Sequence, residues 1–187
     1  YPRVAGRPQH RGGATGRDHS KEFCGVGDMS WSRQRLEALA ADEPYSLVGG
    51  PFGSKLTSRD YVDEGIPVIR GSNLNSGRFL SIDDYVFVSE EKVRKDLSSN
   101  LAKPNDLVFT QRGTLGQVAL IPEDGIADRY VVSQSKIKLT VNEKKADRLF
   151  LYYYFSSRET VERILSFTSS SGVPHINLTV LRNFEVP

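Results

Sequence analysis

The sequence predicts an α+β domain: a twisted, mostly antiparallel sheet flanked by helices. Three observations carry that expectation. Leu107–Thr110, Gln117–Ile121 and Tyr130–Val132 are short apolar runs set off by turn residues, the pattern of buried strands. Lys136–Leu139 alternates strictly, with Ile137, Leu139 and Val141 on one side and Lys136, Lys138 and Thr140 on the other. That alternation reads as a half-buried strand with one wet face. Helical stretches then follow, Asp147–Phe155 and Arg158–Phe167.

Residues 1–28 are rich in Gly and Arg and lack apolar periodicity, so they are expected to be a disordered tail or upstream sequence. The domain is expected over 29–187, with Met29-Ser30-Trp31 as a natural beginning. Arg33–Ala41 suits a short helix capped by Ser32, with Leu36 and Leu39 on one face. Gly49-Gly50-Pro51-Phe52-Gly53 must turn tightly. Ile66–Arg70 and Asp83–Val88 read as short strands. Ser89 caps a helix through Leu97, and Glu90 and Glu91 in its first turn suit the helix dipole. Pro104-Asn105-Asp106 turns into the sheet segment. Asp147 caps the next helix, the polar run Thr168–Gly172 ends the one after it, and Asn177 caps a last turn reaching Arg182.

Composition narrows the function classes. No apolar run approaches the ~18 residues of a membrane span, so no membrane partner is expected. The first residues lack the apolar core of a secretory signal. One cysteine, Cys24, rules out an internal disulfide and a multi-cysteine zinc site, and a cytoplasmic protein fits best. The net charge of +2 resides in the tail, and residues 29–187 are neutral. A nucleic-acid contact would therefore need a local basic face.

Several polar clusters fall at predicted turns. Gln111, Arg112 and Thr114 lie between two strands, and Gln134, Ser135, Lys136 and Lys138 open the alternating one. Such side chains read base edges and phosphates. Arg112 suits a bidentate guanine contact, or else a surface pairing with Asp124 or Asp128. Lys136 and Lys138, two residues apart, suit a phosphate track or the blunting of an exposed edge strand. Arg70, Asn73 and Arg78 surround a loop that also holds Asn75 and Ser76. Asn73 suits adenine, or a plain turn. His175 and Asn177 suit DNA contact or local hydrogen bonding. Phe150, Tyr152, Tyr153, Tyr154 and Phe155 resemble a stacking cluster, yet helical spacing makes most of them core.

Six strings add a further layer: GGPFGSKL (49–56), DYVDEGIPVIRGSNL (60–74), KPNDLVFTQRGTLGQVALIP (103–122), VVSQSKIKLTV (131–141), LFLYYYFSS (149–157) and SGVPHINLTVLRNFEVP (171–187). In this order and spacing, the chain from Tyr45 to Pro187 resembles a target recognition domain of the specificity subunit of type I restriction-modification enzymes. The resemblance implies a fold similar to the small DNA-reading domain of adenine methyltransferases. It implies recognition of one half of a split double-stranded DNA sequence, without catalysis and without cofactors or metals. It implies methyltransferase and translocating nuclease subunits as partners. The family's long spacer helix and second recognition domain are not in this sequence, so a half-subunit (which would pair as a homodimer) or a fragment is expected.

Two other functions compete. The first is a protein-interaction module, which the neutral charge suits. The second is a metal-dependent nuclease built on Asp106 and Glu143-Lys144-Lys145. There the middle residue is polar, and Asn142–Ala146 reads as a turn instead of a catalytic strand.

Overall fold

The computed structural model describes residues 31–74, 77–168 and 174–187. The predicted tail, Cys24, Asn75, Ser76 and most of the Thr168–Gly172 run lie outside them. In chain order the strands are β1 (Gln34–Arg35), β2 (Leu47–Gly49), β3 (Tyr61–Val62), β4 (Ile66–Ile69), β5 (Val86–Val88), β6 (Leu101–Ala102), β7 (Leu107–Thr110), β8 (Val118–Leu120), β9 (Tyr130–Val132), β10 (Lys136–Leu139) and β11 (Glu185–Val186). The helices are α1 (Glu90–Lys92), α2 (Arg148–Ser156), α3 (Arg158–Ser166) and α4 (Leu178–Arg182). The class is α+β, as the strand and helix patterning implied.

The strands divide into two main sheets. One has the order β2-β10-β7-β8 and is antiparallel throughout. The other has the order β3-β5-β4-β9-β6, with β4 and β9 parallel and the other pairs antiparallel. A small β1–β11 pair joins the two ends of the described domain.

Side-chain alternation explains how the sheets stack. Leu107, Phe109, Val118, Leu120, Ile137 and Leu139 share a cluster with Leu151, Phe155 and Ile164 of α2 and α3. Phe109 meets Phe155 edge-on at 5.1 Å. Val108 and Ala119, on the opposite face, pack with Ile69, Tyr130 and Val132 of the second sheet. That sheet's far side buries Val68, Val88 and Val131 against Val93 and Leu97. The layers therefore run helices, sheet, sheet, short helix.

This layering overturns one expectation. The lysine face of β10 is not wet: Lys136 is 1% exposed and Lys138 4%. The strand lies between β2 and β7, and its second face abuts the other sheet. It is not an edge, so the lysines blunt nothing either.

The caps follow the sequence closely. Ser89 Oγ accepts from the Lys92 amide at 3.2 Å, Asp147 Oδ1 from the Phe150 amide at 2.8 Å, and Asn177 Oδ1 from the Thr179 amide at 2.8 Å. Beyond α1 the chain widens into a π-helical turn over Val93–Leu97. The predicted Arg33–Ala41 helix is absent. Gln34–Arg35 pairs with Glu185–Val186, the Leu36 amide donates to the Phe184 carbonyl at 2.9 Å, and only a 3-10 turn over Leu36–Leu39 remains. Leu36 and Leu39 are nonetheless buried. Tertiary pairing at the domain's ends outweighs local helix propensity there.

Candidate nucleic-acid interface

Three chain segments meet where the two sheets part. The Gln111–Gly116 turn links β7 to β8, and Gly113 (φ 100°) and Gly116 (φ 84°) supply left-handed conformations that it needs. The Ser133–Ser135 turn links β9 to β10, closed by the Lys136 amide on the Ser133 carbonyl at 3.0 Å. The Ser135 carbonyl accepts from both the Gln111 and Arg112 amides, at 2.7 and 3.2 Å. The Ser133 amide donates to Ile69 at the end of β4 at 3.1 Å, which brings Arg70 alongside. The turn chemistry of two strands and the end of a third thus build one place.

A cleft of about 380 Å³ opens there. Arg70, Gly71, Arg112, Ser133, Gln134 and Ser135 line it on one side; Leu56, Thr57, Ser58 and Tyr61 close it on the other. Gln134 Nε2 donates to the Leu56 carbonyl at 3.1 Å and also to the Gly53 carbonyl, so it pins that second wall. The wall is braced further by Thr57, whose amide and hydroxyl donate to Asp60 Oδ2 at 2.7 and 2.9 Å. Lys92 then holds Asp60 Oδ1 at 3.0 Å. The backbone amide and hydroxyl of Thr57, with Lys92, hold the Asp60 carboxyl below its ordinary range.

Gly50 sets the approach of this wall. A Cβ at Gly50 would stand 1.9 Å from the Ser133 carbonyl oxygen, a backbone atom that cannot swing aside. Gly50→Ala is expected to destabilise the domain by about 1–3 kcal/mol through overpacking and to pry the cleft open. Urea unfolding of the variant checks this.

The predicted residues have different fates. Arg70, Arg112, Gln134 and Ser135 come together in the cleft. Arg112 is exposed, and among the described residues no carboxylate, Asp124 and Asp128 included, comes within ion-pair distance of it. Gln111 is half-buried behind it, and Thr114 is exposed on the same turn but outside the cleft. Arg78 also lies outside: its guanidinium sits 4.7 Å from the Phe79 ring centroid and donates to the Tyr153 hydroxyl at 3.3 Å, tying the loop to α2. Asn73 is fully buried; its Oδ1 accepts from the Arg70 amide at 2.8 Å and its Nδ2 donates to the Asp83 carbonyl at 2.9 Å. It shapes the loop and offers nothing to a base edge.

Lys138 is corrected most sharply. Its ammonium donates to Thr140 Oγ1 at 2.9 Å and lies 3.6 Å from Asp106 Oδ2, both groups being buried. Burial pushes the lysine down and the aspartate up, and their mutual attraction opposes both shifts. Lys138 is thus an interior cation already paired with Asp106, and its charge is not available to track a phosphate backbone. The same geometry breaks the nuclease pattern. Asp106 faces Lys138, Arg148 holds Glu143 at 2.8 Å, and Lys145 reaches Asp42 at 3.3 Å. Among the described residues no cluster of three His, Cys, Asp or Glu side chains could hold a metal.

The sequence pattern did not single out Leu56, Thr57, Ser58 and Tyr61. The signal was the GGPFGSKL string followed by Thr57-x-x-Asp60, a turn-and-cap pattern that marks a built wall. His175 is exposed and pairs antiparallel with Arg112, while the Ile176 amide donates to the Gln111 carbonyl at 2.9 Å; the segment braces the turn. Of the aromatic run, Tyr152 and Phe155 are core, whereas Phe150 and Tyr153 are exposed.

The domain is α+β, and its strand-connecting turns gather arginines, an amide and hydroxyls around an open cleft. The sequence places it more closely. Residues 53–187 match the model of the type I restriction modification DNA specificity domain, and the chain belongs to that family. It is 24% identical over 112 residues to the type I restriction enzyme MjaVIII specificity subunit of Methanocaldococcus jannaschii, a match covering 55% of this chain and 25% of that one. Its fold is similar to a chain from a structure reporting the structural basis of complex assembly and conformational transition of the type I R-M system, with a TM-score of 0.58 at 17% identity, covering 90% of this chain and 36% of that one. It is also similar to the type I restriction-modification S subunit from M. genitalium, with a TM-score of 0.51 at 19% identity, covering 85% and 34%. The chain therefore spans about a quarter of the curated relative and about a third of these two solved chains. Among the described residues no helix is long and apolar enough to cross a membrane.

Proposed function

We propose that this chain reads one half of a bipartite duplex DNA target, as the specificity component of a type I restriction-modification system. It contributes recognition and no chemistry. Methylation and cleavage belong to separate methyltransferase and translocating nuclease subunits. The observation that carries this reading is the convergence of Arg70, Arg112, Gln134 and Ser135 on one cleft, within a domain of the specificity family.

Division of labour inside the site follows from chemistry. Arg112 stands exposed at the rim and is free to present its planar fork to guanine O6 and N7. Gln134 holds the opposite wall in place. Exposed Thr114, on the same turn as Arg112, extends the reading surface.

Selection from a randomised duplex library, followed by a salt titration on the winning sequence, tests the proposal. A single module of this size buries only about 600–1,000 Å² on DNA, so weak but sequence-selective binding is expected, falling steeply as salt rises. Enrichment of no sequence, or affinity indifferent to salt, would overturn the reading in favour of a protein-binding module.

A further inference from the structure

We infer that the floor of the cleft is an anion site for one backbone phosphodiester, held between Arg70 and the ammonium of Lys136. This rests on the DNA-reading proposal and deepens it by assigning the cleft's floor to the backbone and leaving the rim to the bases.

Lys136 is the central observation. Its side chain is buried, and its ammonium has a single described hydrogen bond, to Thr110 Oγ1 at 3.0 Å. Among the described residues no carboxylate comes within ion-pair distance of it, in contrast to Lys138 two residues on, which faces Asp106. A lone buried cation costs stability that a methionine of similar length would not. Burial alone pushes its pKa down to about 8, so at neutral pH the charge persists. The ammonium lies against Gly71, a cleft-lining residue: a Cβ there would sit 3.9 Å from it.

Arg70 supplies the second observation. Its Nη2 is committed to Asp84, at 2.7 Å from the carbonyl and 3.0 Å from the carboxylate. Its Nε is buried and has no partner among the described residues. A buried N–H without an acceptor is rare and expensive. Here the orphan donor belongs to a residue lining the same cleft as Gly71, against which the Lys136 ammonium lies. The Thr110 hydroxyl and the Gly71 backbone, both neutral, lie against Lys136, and a buried charge is weakly screened. Ser133 and Ser135, whose hydroxyls lie 3.5 Å apart, add neutral donors on the same wall. A full negative charge with two free oxygens satisfies the orphan donor and the lone cation together. A guanine edge also offers two acceptors, O6 and N7, but no negative charge to balance the lone cation.

The test is Lys136→Met in the full chain, measured on the selected duplex across a salt series. Expected are a loss of affinity similar on cognate and unrelated duplexes, a salt slope shallower by about 0.9, an unchanged base preference and an unfolding midpoint no lower than that of the parent. A second arm does not depend on the variant's folding. Single methylphosphonate linkages are walked along the duplex, and one neutral linkage should weaken the parent chain. Made against the Met variant, the same linkage should cost nothing further. An unchanged salt slope, or no sensitive linkage, with duplex binding intact overturns the phosphate site and leaves the recognition reading standing. Failure of the unaltered chain to bind any duplex overturns both.

Discussion

Asp106→Ala is expected to destabilise the domain by about 3–5 kcal/mol, and Lys138→Ala by a similar amount. Each truncation leaves the opposite charge buried and unpaired between the two sheets, where Asp106 is 1% exposed and Lys138 4%. The pair is not a bonus in itself. Burial is the largest influence on both groups, raising the aspartate and lowering the lysine, and the attraction across 3.6 Å only partly offsets it. The Lys103 amide also donates to Asp106 Oδ2 at 3.0 Å, and the Lys138 ammonium donates to Thr140 Oγ1 at 2.9 Å. The double change Asp106→Leu with Lys138→Met should therefore recover most of the loss, because well-packed apolar replacements of buried pairs are often neutral or stabilising. Denaturant midpoints for the two singles and the double complete the cycle. Strict additivity of the two losses would show that the charges do not act as a pair.

This pair also marks the boundary of what the amino-acid pattern reveals. Strands β7, β9 and β10, the caps at Ser89, Asp147 and Asn177, and helices α2 and α3 were all legible, because each rests on local chemistry. The environment of Lys138 was not. Alternation reports which residues share a face, but what covers that face depends on the second sheet, whose strands come from residues 61–132. Lysine on an alternating strand ordinarily implies water. Here the acid that tolerates its burial, Asp106, is 32 positions earlier in the sequence. The N-terminal Arg33–Ala41 segment failed for a related reason: its partner strand, Glu185–Val186, comes at the far end of the chain.

The site was half legible on the same logic. Arg112, Gln134 and Ser135 sit on turns whose residue types announce them, and the structure brings them to one cleft with Arg70. Asn73 and Arg78 had equally suggestive types but are spent on the loop and on α2. Lys136 was expected on a wet face and instead lies buried against Gly71 of the cleft, where a buried charge acts through a poorly screened medium.

Arg112→Ala should relax sequence preference at one base pair by about 1–3 kcal/mol, roughly 5- to 150-fold, with little change in fold stability. The side chain is exposed and makes no ion pair among the described residues, so its removal exposes no cavity and orphans no buried partner. Its backbone is nevertheless fixed: the Ser135 carbonyl takes its amide at 3.2 Å, and residue 175 pairs across from it. An arginine on so braced a turn loses less freedom on meeting a base than one on a loose loop, which favours discrimination over mere attraction. Lys136→Met provides the contrast. Backbone contacts position a protein without carrying sequence information, whereas base contacts specify. The two variants should therefore separate cleanly on duplexes changed one pair at a time: Arg112→Ala flattens the preference at a single position and costs the cognate site most, while Lys136→Met lowers every affinity alike. If Arg112→Ala weakened all duplexes equally and left the preference intact at every position, Arg112 would join the phosphate contacts, and base reading would have to come from Thr114 and the remaining rim.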